Sequence, residues 1–169
     1  MSNLTVESVK QEISKAYISL DNPEYAFLAR GKSERPYQDL VDELLQRFFV
    51  KDSTNVNQDV SAVYLLCNVV AETQARWMLQ LSLVARYGVL FSLTEKGPEL
   101  LCSGEHGSEQ IAHLMAKWRV PILTSEVLKT RIPLKLFYTE PENVCIYQAL
   151  FSDVDLLPWE SRKILVPED

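Results

Sequence analysis

The sequence predicts an α+β domain in which N-terminal helices precede a mostly antiparallel sheet, with a helix inserted around residues 108–118. Two textures and one absence carry that prediction. Apolar residues recur at helical spacing as far as residue 48, and from residue 77 they alternate at the period of a strand. No strand–helix–strand repeat follows, which argues against a parallel sheet. A chain of 169 residues is of ordinary size for one domain and buries roughly two-thirds of its unfolded surface, so one globular domain over 1–169 is expected.

Val6, Val9, Ile13, Ala16, Tyr17 and Leu20 fall on one face, with Glu7, Lys10, Glu12 and Lys15 elsewhere, which predicts an amphipathic first helix. Asn22, Pro23 and Glu24 followed by Gly31 predict a short second helix that starts at the proline and stops at the glycine. Pro36 opens a third, whose Tyr37, Leu40, Val41, Leu44, Leu45 and Phe48 repeat at spacings of three and four. The polar stretch KDSTNVNQD at 51–59 closes the helical part. Segment 60–71 fits a strand, although Val60, Val63, Tyr64, Cys67 and Val70 also suit a helix; the strand is preferred.

Trp77, Leu79, Leu81 and Leu83 alternate with Met78, Gln80, Ser82 and Val84, and Tyr87 to Leu93 alternates again. The turn EKGP at 95–98 then pairs this second strand with 99–102. After Pro121 a short helix is expected around Ser125 to Lys129. Leu134 to Tyr138 and Val144 to Phe151 read as two strands across the turn TEPEN.

Hydrophobic residues make up 47% and charged residues 24%, ordinary values for a folded domain. The formal charge of −6 argues against nucleic acid as a partner, because phosphate binding needs clustered Lys and Arg. The N-terminus lacks a basic region followed by an apolar run, and Glu72, Arg76 and Arg86 interrupt the apolar stretch 60–93, so neither a secretion signal nor a membrane span is expected. Cys67, Cys102 and Cys145 are odd in number and form no CxxC pair; buried free thiols in a reducing cytoplasm explain them. Five glycines, with no GxGxxG or GxxxxGK[ST], leave no loop to cradle a nucleotide, and no GxSxG is present.

GEHGSEQIAHLMAKW at 104–118 holds both histidines. In a continuous helix from residue 106, His106, Glu109, His113 and Lys117 would share a face, and a small metal-dependent hydrolase or metal-binding protein would follow. Ser108 is the better N-cap, however, and a helix that starts there leaves His106 in the preceding loop. Ile111, Leu114, Met115 and Trp118 are then expected to be buried and His113 exposed. No catalytic, cofactor-binding or metal residue is assigned, and no cofactor is expected.

Charge is distributed unevenly near the C-terminus. Residues 117–135 carry Lys117, Arg119, Lys129, Arg131 and Lys135 against Glu126, whereas 140–160 carry Glu140, Glu142, Asp153, Asp155 and Glu160 with no base. The two stretches either neutralise one another inside the molecule or leave an acidic surface with Trp159 as an aromatic anchor. The expected function is non-enzymatic protein binding, with an immunity or inhibitor protein masking a basic toxin as its concrete form. Glu140, Glu142, Asp153, Asp155 and Trp159 are the candidate partner-binding residues. Self-association through a β edge or an apolar helix face is a third expectation.

Overall fold

A computed structural model describes residues 4–54, 61–68, 76–101 and 108–160. Its elements are α1 (Val6–Tyr17), α2 (Ala26–Glu34), α3 (Gln38–Leu45), β1 (Phe49–Asp52), β2 (Ala62–Asn68), β3 (Trp77–Ser82), β4 (Gly88–Thr94), β5 (Gly97–Leu100), α4 (Ser108–Lys117), α5 (Ser125–Leu128) and α6 (Ile146–Leu150). Helices precede a five-stranded antiparallel sheet in the order β1-β2-β3-β4-β5, so the α+β expectation holds. No helix among the described residues is long and apolar enough to cross a membrane.

The sheet lies between two layers of helices. Because strand side chains alternate, one face carries Leu65, Cys67, Trp77, Leu79, Leu81 and Leu90, packed with Leu40 and Leu44 of α3 and Ile111, Leu114 and Met115 of α4. The other face carries Ala62, Val89 and Phe91, packed with Val9, Ile13 and Tyr17 of α1 and with α5 and α6. In register, Leu65 faces Leu79 and Leu79 faces Leu90 on the first side, whereas Met78 faces Phe91 on the second. Both faces of β3 are therefore buried, which is why its polar Gln80 and Ser82 are each only 1% exposed.

Thr5 caps α1: its hydroxyl accepts from the Ser8 amide, and the Ser8 hydroxyl accepts from the Thr5 amide, each at 3.1 Å. The helix ends in a tight γ-turn at Ile18, with φ 64° and ψ −49°, and the Ser19 amide donates to the Tyr17 carbonyl at 2.7 Å. A β-branched residue pays a steric cost in this conformation. The reversal lets Glu24 donate to the same carbonyl at 2.9 Å, and it leaves Ile18 exposed.

Several sequence expectations are corrected. The second helix does not run from Pro23 to Gly31; it starts at Ala26 and passes through Gly31 to Glu34, closing on a left-handed Arg35 with φ 44°. Gly31 is a packing residue, since a Cβ there would meet the Leu83 side chain at 2.9 Å. Phe49–Asp52, for which the sequence predicted no element and whose last two residues open the polar stretch 51–59, forms edge strand β1. Within 60–71 the preferred strand is found over Ala62–Asn68, while 60 and 69–71 lie outside the described residues. β5 starts at Gly97, at the end of the expected turn, and as an edge strand it tolerates Pro98. Leu134 to Tyr138 and Val144 to Phe151 are not strands. The only pairing described there is an isolated bridge between Arg131 and Cys145, and Ile146–Leu150 is helical.

Glu43 ties α3 to α4. Its carboxylate accepts from Lys117 Nζ at 2.7 and 2.8 Å and from Trp118 Nε1 at 2.8 Å, and it pairs with Arg47 at 3.3 Å. The hydrogen bonds from Lys117 and then Trp118 hold its pKa below the ordinary value of 4.5. A carboxylate whose pKa is lowered by folding stabilises the fold above its unfolded pKa, and that contribution is lost as pH falls through the folded pKa. Glu43→Gln is therefore expected to flatten the loss of stability below pH 4.5 relative to the wild type, read from urea midpoints across a pH series.

Candidate functional site

The C-terminal acidic segment is organised by α6. Every residue from Val144 to Phe151 is buried, so this short helix sits inside the molecule and hands the chain out at both ends. On the near side lies the turn at 139–143, in which the Asn143 amide donates to the Glu140 carbonyl at 2.8 Å. On the far side comes 152–157, which folds back against that turn.

Asp153 joins the two. Its carboxylate accepts the backbone N–H of Phe137 at 2.9 Å, of Tyr138 at 3.1 Å, and of Thr139 at 2.9 Å. The Thr139 hydroxyl adds a fourth donor at 2.9 Å. Three successive amides converging on one carboxylate turn the backbone inward, and the side chains of Phe137 and Tyr138 are driven out. They are 73% and 71% exposed, while Thr139 is only 3% exposed. Asp155 repeats the device on a smaller scale, accepting from the Glu140 amide at 3.1 Å and Asn143 Nδ2 at 3.5 Å.

The five residues singled out in the sequence are thus brought together, in two different settings. Glu140, Glu142 and Asp155 are exposed around the turn. Asp153 is half-buried and occupied by the turn's own amides. Trp159 is half-buried: its ring stacks on Phe91 at 6.4 Å and meets Tyr147 edge-on at 5.1 Å, and Lys129 Nζ lies 5.7 Å from its centre. Val154 and Leu156, on either side of Asp155, are also exposed, at 48% and 59%. Sequence reasoning missed Phe137 because LKLFY alternates like a strand, and it did not single out Val154 or Leu156 as exposed. The pattern SDVD, two acids able to bind neighbouring amides, was the available signal for a turn.

Direct neutralisation by the preceding basic stretch does not occur among the described residues. Lys117 pairs with Glu43 at 2.7 Å and Lys135 with Asp21 at 3.1 Å. No ion pair there joins Lys117, Arg119, Lys129, Arg131 or Lys135 to Glu140, Glu142, Asp153 or Asp155.

α4 is described over Ser108–Lys117, with Ile111, Leu114 and Met115 fully buried and Glu109 and His113 exposed. Trp118 is half-buried rather than buried, because its indole N–H reaches out to Glu43. His106 lies outside the described residues, and no group of three or more His, Cys, Asp or Glu able to hold a metal occurs among those described. Burial pushes the Cys67 thiol up to about 12 and raises that of Cys145, as suits inert core thiols; Cys102 lies outside the described residues.

The chain matches no family model, no curated protein and no solved structure in the comparisons made.

Proposed function

We propose that this chain is a protein-binding domain that docks a basic protein partner on the face formed by residues 137–142 and 153–156. The carrying observation is the exposure of Phe137, Tyr138 and Leu156 at 73%, 71% and 59%, on loops that Asp153 holds fixed. Scattered exposed apolar residues are normal on a surface, but aromatic ones gathered on a rigid turn are the pattern of binding hot spots. Glu140, Glu142 and Asp155, exposed on the same two loops, add negative charge, which steers a basic partner and repels nucleic acid. Asp153 and Trp159 serve this face from beneath, the first by shaping the turn and the second by anchoring the end of the segment. An inhibitor or immunity protein that covers the active site of a basic toxin is the concrete form of this reading.

The test compares the wild-type chain with a variant carrying Phe137→Ala, Tyr138→Ala, Glu140→Lys and Glu142→Lys, each immobilised and exposed to lysate of the native organism. A basic protein enriched at least about tenfold on the wild type, the equivalent of 1.4 kcal/mol or more, is expected. Its retention should weaken as salt rises. A set of captured proteins identical for the two baits would overturn the proposal.

A further inference from the structure

We infer that the cavity behind the Phe137–Tyr138 turn receives one basic side chain of the partner, an arginine by preference. This rests on the protein-binding reading above and names the chemistry of its central contact. The cavity measures about 140 Å³ and lies where Tyr17, Tyr25 and Leu28 meet Leu136, Phe137 and Asp153. An apolar cavity of roughly 150 Å³ admits a benzene molecule, so the space fits one side-chain head and its stem.

The lining selects a cation. The Tyr25 and Phe137 rings stack at 5.4 Å and 25°, and Tyr17 meets Tyr25 edge-on at 5.7 Å. These rings offer aromatic surface to a planar guanidinium, and Leu28 and Leu136 to its alkyl stem. The Tyr17 hydroxyl donates its hydrogen to the Ala149 carbonyl at 2.7 Å, so only its acceptor lone pairs remain for a ligand.

Asp153 supplies the charge. All four groups that donate to it are neutral, and no cation pairs with it among the described residues. Its field reaches into the cavity: burial, then Tyr25, then Asp153 raise the pKa of the Tyr17 hydroxyl. A partner that covered this carboxylate with a neutral group would strip it of water and give no counter-charge in return. The turn's donors already engage both carboxylate oxygens, so what a ligand has to add is the counter-charge, and a guanidinium carries it in a planar form that can lie against aromatic rings.

The probe is butylguanidinium, titrated into the isotope-labelled full chain while backbone amide shifts are followed, with butylurea as its uncharged counterpart. Saturable shifts at Phe137, Tyr138 and Thr139 are expected with butylguanidinium, and at least tenfold weaker binding with butylurea. Asp153→Asn should abolish the response. Because that change also alters the turn, Phe137→Ala provides a second variant that leaves the turn's amide bonds in place, and it should weaken the probe severalfold. Absence of saturable shifts, equal binding of butylurea, or indifference to both substitutions overturns the inference. The titration needs no partner, so the two readings fail separately. A silent titration beside a successful capture removes the cavity and keeps the docking face, whereas a failed capture beside a saturable titration removes the protein partner and keeps the cation site.

Discussion

Phe91→Ala is expected to lower the unfolding free energy by about 3–5 kcal/mol, read as a drop in urea midpoint with an unchanged denaturant slope. Phe91 is 0% exposed in β4 and faces Met78 across the β3 pair and Leu100 across the β5 pair. Its ring lies edge-on to Tyr147 and stacks on Trp159, each at 6.4 Å, so truncation removes contacts to the sheet, to α6 and to the C-terminal segment together. Close-packed surroundings cannot collapse fully into the space, which adds a cavity cost to the lost transfer energy. Phe49→Ala is the matched control. That side chain is 65% exposed on edge strand β1, and its removal should change stability by no more than about 0.5 kcal/mol. A smaller effect at Phe91 than at Phe49 would contradict the packing of α1 and α6 on this face of the sheet.

The contrast between these two phenylalanines shows where the sequence was legible. Elements buried on one side announce themselves: α1, α3 and α4 each put charge on one face and Ile, Leu or Val on the other, and all three were expected close to where they occur. β3 and β4 were legible through alternation and the turn at Glu95 and Lys96. α6 was not. All five of its residues, Ile146, Tyr147, Gln148, Ala149 and Leu150, are buried, so it has no wet face to mark a helical period, and a short apolar run of that kind reads equally as a strand. The candidate site was half legible for a related reason. Charge pattern pointed to Glu140, Glu142 and Asp155, but whether an aspartate faces solvent or binds amides is decided by the backbone around it. That geometry separates Asp153 from its neighbours and turns Phe137 outward.

The buried setting of α6 creates a requirement that yields the second large effect. A helix ends with carbonyls that have no intrahelical donor, and burial denies them water. Three hydroxyls from other elements supply the donors. Tyr17 donates to the Ala149 carbonyl at 2.7 Å, Ser82 to Leu150 at 2.7 Å, and Tyr64 to Phe151 at 2.5 Å. Removing any one leaves a carbonyl short of a donor, at about 1–3 kcal/mol apiece. Ser82→Ala also takes the acceptor from the Val84 amide, 3.1 Å away. The double variant Tyr17→Phe with Ser82→Ala is expected to lose about 2–6 kcal/mol if the sites are independent, measured by urea unfolding. The two hydroxyls cap adjacent carbonyls of one short helix, so a coupling of about 0.5–3 kcal/mol is expected between them in a double-mutant cycle. Tyr138→Phe, which removes a hydroxyl from an exposed ring, should stay within about 0.5 kcal/mol of the wild type. Since α6 connects the turn at 139–143 to the segment containing Asp153, loosening its end should also broaden or shift the amide signals of Phe137, Tyr138 and Thr139. Loss of stability without any change at those amides would mean that the docking face is held by Asp153 alone, independently of the helix beneath it.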